Sequence, residues 1–162
     1  MEALEVGYEP LTIYQDHIEL WSEEPTQFID LTDRVDFILH RSGITHGIVQ
    51  IRVLHTTAAI VVNENEPLLL DDFKAMLERL APRSGAYAHD DPLRRQVNLE
   101  PEERHNGHAH VQALLLGESR QLSVIDGEAE LGRWQSIFLV ELDGPRKRSI
   151  SLTVMGHRRN SI

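Results

Sequence analysis

The chain has 162 residues, room for one well-buried core, with 41% hydrophobic and 26% charged residues, an ordinary globular balance. A formal net charge of −10 and a pI near 5.3 argue against nucleic-acid binding, which leaves a basic footprint where phosphates are met. No apolar run reaches the length of about 18 residues that a transmembrane helix needs, and the lack of cysteine removes disulfides, thiolate metal ligands and thiol nucleophiles.

The opening MEALEVGYEPL has no basic stretch followed by an apolar core, so no secretory leader is expected and the simple expectation is a cytoplasmic protein. Thr12 to Leu20 alternates apolar and polar residues and predicts a first strand. Phe28, Leu31, Val35 and Ile38 recur at helical spacing, with Gly43 placed to stop the helix in a left-handed conformation. Gly47 to His55 and Ala58 to Val62 are rich in β-branched residues and predict strands on either side of Thr56-Thr57. Glu66-Pro67 then opens a second helix, with Leu69, Phe73, Met76, Leu77 and Leu80 on its apolar stripe; proline fits a first turn, where its missing N–H has no intrahelical partner.

From Ala86 to Gly107 the chain is polar and punctuated, the kind of stretch that is functional or partly disordered inside a compact domain. Val111 to Leu116 fits no single period. Gln121 to Ile125, Trp134 to Leu142 and Arg148 to Val154 predict strands, and Asp143-Gly144-Pro145 predicts a turn joining the last two as an antiparallel hairpin. The tail GHRRNSI is expected to fray. Strands outnumber helices and do not alternate with them. The pattern predicts one α+β domain over residues 1–162, with a mainly antiparallel, sandwich-like sheet and two main helices.

Nine histidines are the compositional excess that matters, because several cluster. His55, at a strand end in HTTA, is held rigidly and can reach solvent, which suits a metal ligand, a proton-transfer group or a hydrogen-bonded structural histidine. Asn63 and Asn65 precede the second helix and either cap it or face an anion at its N-terminus. His89-Asp90-Asp91 lies in the polar stretch, and His105, His108 and His110 crowd into HNGHAH. Imidazoles suit zinc-like ions, but these spacings match no established zinc signature. Arg146, Lys147 and Arg148 place cations after the predicted turn, either as a solvated tip or as a phosphate clamp.

HTTAAI followed by NEN, an HD in a loop, NGHAH, LGRWQSIF and DGPRKR occur in an order that resembles the YjbQ-like family, small proteins called secondary thiamine-phosphate synthases. The match runs from about Leu11 to Gly156. The resemblance implies a compact, sandwich-like α+β trimer with a histidine-lined metal or anion site near a subunit interface. It also implies an activity that joins a pyrimidine diphosphate to a thiazole phosphate and releases pyrophosphate. Carried over by motif, the candidate catalytic and metal residues are His55, His89 and His110; Asn65, Gln135, Arg146 and Arg148 are the candidate contacts to substrate or phosphate. His105 and His108 stand where the family pattern has no histidine, and Arg133 stands where it usually has threonine, adding a guanidinium that would strengthen phosphate binding or obstruct a neutral substrate.

Three imidazoles imply a zinc-like divalent ion, whereas pyrophosphate chemistry implies magnesium. The expected partner is a small phosphorylated molecule, with no nucleic acid and no membrane. Two alternatives to the synthase reading follow from the same residues. One is a metal-dependent hydrolase of a phosphorylated small molecule; the other is a non-enzymatic trimer that binds a metal or an anion.

Overall fold

Alternation along Thr12–Trp21 (β1) lets one face of this strand bury Ile18 and Leu20 while the other stays in solvent. A computed structural model describes residues 10–100 and 103–158. Within it, β1 is followed by β2 (Gln27–Asp30), α1 (Thr32–Ser42), β3 (Ile44–Val53), β4 (Ala58–Glu64) and α2 (Pro67–Leu80). After a single 3-10 turn at Ala88–Asp90 come α3 (Gly107–Leu116), β5 (Ser119–Ile125), β6 (Glu128–Ala129), β7 (Gln135–Glu141) and β8 (Lys147–Arg158). The strands form two antiparallel sheets, one of five in the order β1-β8-β3-β5-β6 and one of three in the order β2-β7-β4. The α+β class with mainly antiparallel sheets is thus the architecture of the chain.

Burial explains the layering. Ile137 and Leu139 of β7 enter a core shared with Val35 and Leu39 of α1 and with Val49, Ile51, Leu152 and Val154 of the larger sheet. Phe138 and Val140, pointing the other way, pack with Leu77 of α2 and with Ala109 and Ala113 of α3. β7 is therefore buried on both faces, which is why SIFLVE reads as a continuous apolar run and not as an alternation. The order of layers is five-stranded sheet, three-stranded sheet, then α2 and α3.

Several expectations need correction. Phe28 continues no helix; it sits in β2 and packs against Phe73 and Phe138 at ring-centroid distances of 5.9 and 6.0 Å. Gly43 does stop α1 in the left-handed region, with φ 67°. Neither Asn63 nor Asn65 caps α2: the Glu66 carboxylate takes the amides of Leu68 and Leu69 at 3.0 and 2.7 Å. The segment from Val111 belongs to a third helix, α3. β8 runs on through Gly156 to Arg158, so this part of the tail is strand, while residues 159–162 lie outside the described residues. Gly47 and Gly156 face each other across β3 and β8, and a Cβ on Gly47 would lie 2.0 Å from the Met155 carbonyl oxygen.

The largest correction concerns β7 and β8, which form no hairpin. They lie in different sheets, and residues 142–146 carry the chain from one to the other through a corner in which Leu142, Asp143 and Gly144 are buried. The Gly144–Pro145 peptide is cis. Ser22 and Pro25 tie the corner to the β1–β2 connection, with Ser22 N donating to the Arg146 carbonyl at 3.0 Å and Gly144 N to the Pro25 carbonyl at 3.2 Å. No described helix is long and apolar enough to cross a membrane.

Candidate functional site

The end of β7 and the start of β8, on the two sides of the buried corner, meet through one ion pair. Glu141 and Arg148 are 0% and 3% exposed, joined by Arg148 Nε and Nη2 to the two carboxylate oxygens. Glu141 also accepts from Ser22 Oγ at 2.8 Å and from the amides of Leu142 and Asp143. Burial opposes its ionisation, but the Arg148 bond and these donors win and hold the carboxyl below the usual glutamate value. Arg148 Nη2 continues to the Thr57 carbonyl and hydroxyl, pinning the HTT turn. Arg148 thus uses most of its fork inside the protein, and borders the cavity described below as the anchor of its wall.

His55 follows β3 by two residues, and its Nε2 accepts the Ser149 amide of β8 at 2.9 Å. A neutral ring bonded in this way carries its hydrogen on Nδ1, so His55 offers a donor and not a lone pair. His89 lies in the 3-10 turn, which is docked on α3 by its neighbour: Asp90 Oδ1 accepts the amides of Asn106 and Gly107 at 3.0 and 2.9 Å. These are orphan N–H groups of a helix start, satisfied by a carboxylate from outside the helix. Gly107 is required there, because a Cβ would come within 2.4 Å of Tyr87 Cβ. The result is that His89 meets His110, one turn into α3, with ring centroids 4.5 Å apart.

A cavity of about 610 Å³ lies where these pieces converge. All three motif histidines line it, together with Arg146 and Arg148. Arg95 and Arg104 line it too, and neither was a candidate from sequence. Each arginine is anchored. Arg95, with its side chain 13% exposed, meets Glu103 at 2.6 Å and also the carbonyls of Val97 and Asn98. This guanidinium ties Val97, Asn98 and Glu103 together within the polar stretch. Arg146 bonds the Asp143 carboxylate at 2.7 Å, and Arg104 donates to the carbonyls of Asp143 and Gly144, both at 3.3 Å.

The other two candidates are elsewhere. The register pairs Ala58 with Glu141 at the cavity end and Glu64 with Gln135 at the opposite end. Six residues of strand separate them, about 20 Å. Asn65 donates to Asp30 at 2.8 Å, and Gln135 accepts the Gly132 amide at 2.8 Å; neither borders the cavity. Arg133 stacks on the Trp134 ring at 4.5 Å at that same far end, which removes it from phosphate binding in this cavity.

The donors present limit how a metal could be held here. His89 Nε2 is buried without a hydrogen-bond partner among the described residues, so His89 and His110 can offer a metal two imidazoles. His55 would have to give up its Ser149 bond or its Nδ1 hydrogen to add a third. Among the described residues, no group of three or more His, Asp or Glu side chains is arranged to hold an ion.

Burial first, and then neighbouring groups, lower the pKa of His55 and His110 from the usual imidazole value; the Arg148 guanidinium is next for His55, and the adjacent His89 ring for His110. His108, 1% exposed in α3 with neither ring nitrogen bonded among the described residues, is lowered by burial in the same way, with Arg83 adding to it. With folded values below the unfolded ones, the unfolded chain binds more protons, so ΔG of unfolding falls with falling pH. We expect stability to be flat above about pH 7 and to decline as pH drops below about 6.5. Urea unfolding at pH 7.5 and 5.5 checks this, and His108→Met should make the decline shallower. Equal stability at both values would contradict it.

Comparison with known proteins agrees with this architecture. The family model described as UPF0047 protein YjbQ-like matches residues 16–157. A UPF0047 protein of Methanothermobacter thermautotrophicus is 38% identical over 146 residues, 90% of this chain and 94% of that one. Another, from Archaeoglobus fulgidus, is 35% identical over 133 residues, covering 82% and 94%. Among solved structures, a YbjQ-like protein of unknown function from Sulfolobus solfataricus superposes with a TM-score of 0.81 at 37% identity, covering 91% of this chain and 99% of that one. A hypothetical protein from Aeropyrum pernix gives a TM-score of 0.79 at 34% identity, covering 89% and 99%.

Proposed function

We propose that this chain, which belongs to the YjbQ-like UPF0047 family, binds a small phosphorylated molecule in the histidine–arginine cavity and transfers a group from it. One observation carries the reading: four arginines and three histidines converge, outnumbering Glu100, Glu103 and Asp143, on a single cavity of a chain whose net charge is −10. The guanidiniums are held in place by internal partners before any ligand arrives, so little reorganisation is needed to meet an anion. His55 adds an Nδ1–H donor and Arg146 a charge beside it.

The reaction we propose for such a site is the one implied by the sequence motifs' resemblance to the YjbQ-like family, joining a pyrimidine diphosphate to a thiazole phosphate. The C–O bond to pyrophosphate breaks with its electron pair leaving on oxygen, a benzylic-type cation remains on the pyrimidine, and the thiazole nitrogen forms the new C–N bond. The protein has only to stabilise the departing anion and keep the nucleophile near. Arg104 and Arg146 serve the first task, and His89 and His110 confine the second. Magnesium would enter with the diphosphate, and would neutralise part of its charge. We place the protein in the cytoplasm as a homotrimer.

The test is an assay of the full chain with the two phosphorylated precursors. Product formation is expected, at least about tenfold slower in His89→Ala, the usual scale for losing one positioned polar group. No turnover, or turnover indifferent to His89, would overturn the synthase reading.

A second reading, a metal-dependent phosphoester hydrolase, is favoured by the contact between His89 and His110 and by the unpartnered His89 Nε2. Zinc- or manganese-stimulated release of phosphate from generic esters would select it over the synthase. Ligand binding without either activity would select a non-enzymatic anion-binding protein.

A further inference from the structure

His110 sits on α3 with Ala113 and Leu114 three and four residues further on, and residues at these spacings share one side of a helix. Along that side runs a second cavity, of about 470 Å³, separate from the first in most of its lining but sharing His55, Thr56 and His110 with it. Its character is different. Val53 and Leu54 border it from the end of β3, and Ala58 from the start of β4, facing Ala113 and Leu114 of α3. Arg52 and Glu118 are the charged groups that line it. Ala58 and Ala113, 1% and 9% exposed, are buried but small, so the space is left by short side chains. Leu54 and Leu114, 49% and 83% exposed, leave apolar surface uncovered beside the two histidines.

An anion held by the arginines therefore has, across His55 and His110, an apolar slot next to it. Binding sites that fix a ligand's orientation combine a few convergent polar groups with such an apolar wall. We propose that this slot receives the uncharged, apolar body of the same molecule whose phosphate occupies the arginine-lined cavity. The ligand class is then a phosphate or diphosphate ester of an aromatic or aliphatic alcohol, and not bare phosphate or a heavily hydroxylated sugar phosphate. This rests on the anion-binding reading given above, and adds to it the place where the body that carries the phosphate is held.

Calorimetry on the full chain separates the two. Inorganic phosphate reports the arginine-lined cavity alone; phenyl phosphate reports both. Phenyl phosphate is expected to bind about tenfold to hundredfold more tightly, the range for burying a ring-sized apolar group. In Leu54→Gln/Leu114→Gln, two changes at exposed positions, that advantage is expected to fall to about twofold or less while the affinity for inorganic phosphate stays as in the unchanged protein. The melting temperature of the variant confirms that it is folded. Equal affinity for the two ligands in the unchanged protein, or an advantage that survives the double substitution, would overturn the slot and leave the anion site standing. Failure of both ligands to bind would overturn the anion site and the slot with it.

Discussion

Glu141→Leu is expected to lower stability by about 3–5 kcal/mol, the cost of leaving a buried guanidinium without its counter-charge. Arg148, 3% exposed, would keep only its bonds to Thr57. Arg148→Met should cost a similar amount, because it strands a carboxylate that is 0% exposed. The double variant Glu141→Leu/Arg148→Met is expected to recover part of the loss and not all of it. Its two charges are gone, but the amides of Leu142 and Asp143 and the Ser22 hydroxyl lose their common acceptor. Urea unfolding of the four proteins forms a double-mutant cycle. Single variants that lose less than about 1 kcal/mol would show that the pair does not hold the corner between the sheets.

Asp90→Ala is expected to have the second-largest effect, about 1–2 kcal/mol in stability, on the scale of a lost helix cap. The reason it matters beyond stability is geometric. Asp90 joins the 3-10 turn to the start of α3, and this junction is what brings His89 to His110. Phosphate affinity should therefore fall together with melting temperature. Asp90→Asn, which keeps an acceptor oxygen, should retain most of the stability. If Asp90→Ala lost neither stability nor affinity, the docking of the turn would be irrelevant to the site.

The sequence was most legible where a single physical rule decides. The β1 alternation and the Gly43 stop follow local rules, and both are present in the structure. Legibility failed where tertiary context overrode them. In α3 the polar Gln112 points inward, donating to the Leu77 and Ala81 carbonyls at the end of α2, while Leu114 and Leu115 face out. That inverts the amphipathic pattern, so no helical period shows. β7 and β8 read as a hairpin because a Gly-Pro turn separates two strands; the buried Glu141–Arg148 pair that fixes them in different sheets is invisible to spacing.

The site divides in the same way. HTTA, HD and NGHAH marked three histidines that do line one cavity. Asn65 and Gln135 looked equivalent as motif positions but lie at the opposite end of the β4–β7 pairing. Arg95 and Arg104 carried no signal at all, being ordinary arginines of a polar loop until Glu103 and the Asp143 corner give them places.

His55, His89 and His110 line, with the arginines, the cavity in which we propose that a phosphate binds. The most direct test is to follow the imidazole NMR signals of all nine histidines, assigned by substitution, while inorganic phosphate is added at pH 7.5. Saturable shifts are expected at His55, His89 and His110, with His17, His46 and His157 unmoved. No saturable shift at those three, or shifts only at the remote histidines, would contradict the proposal.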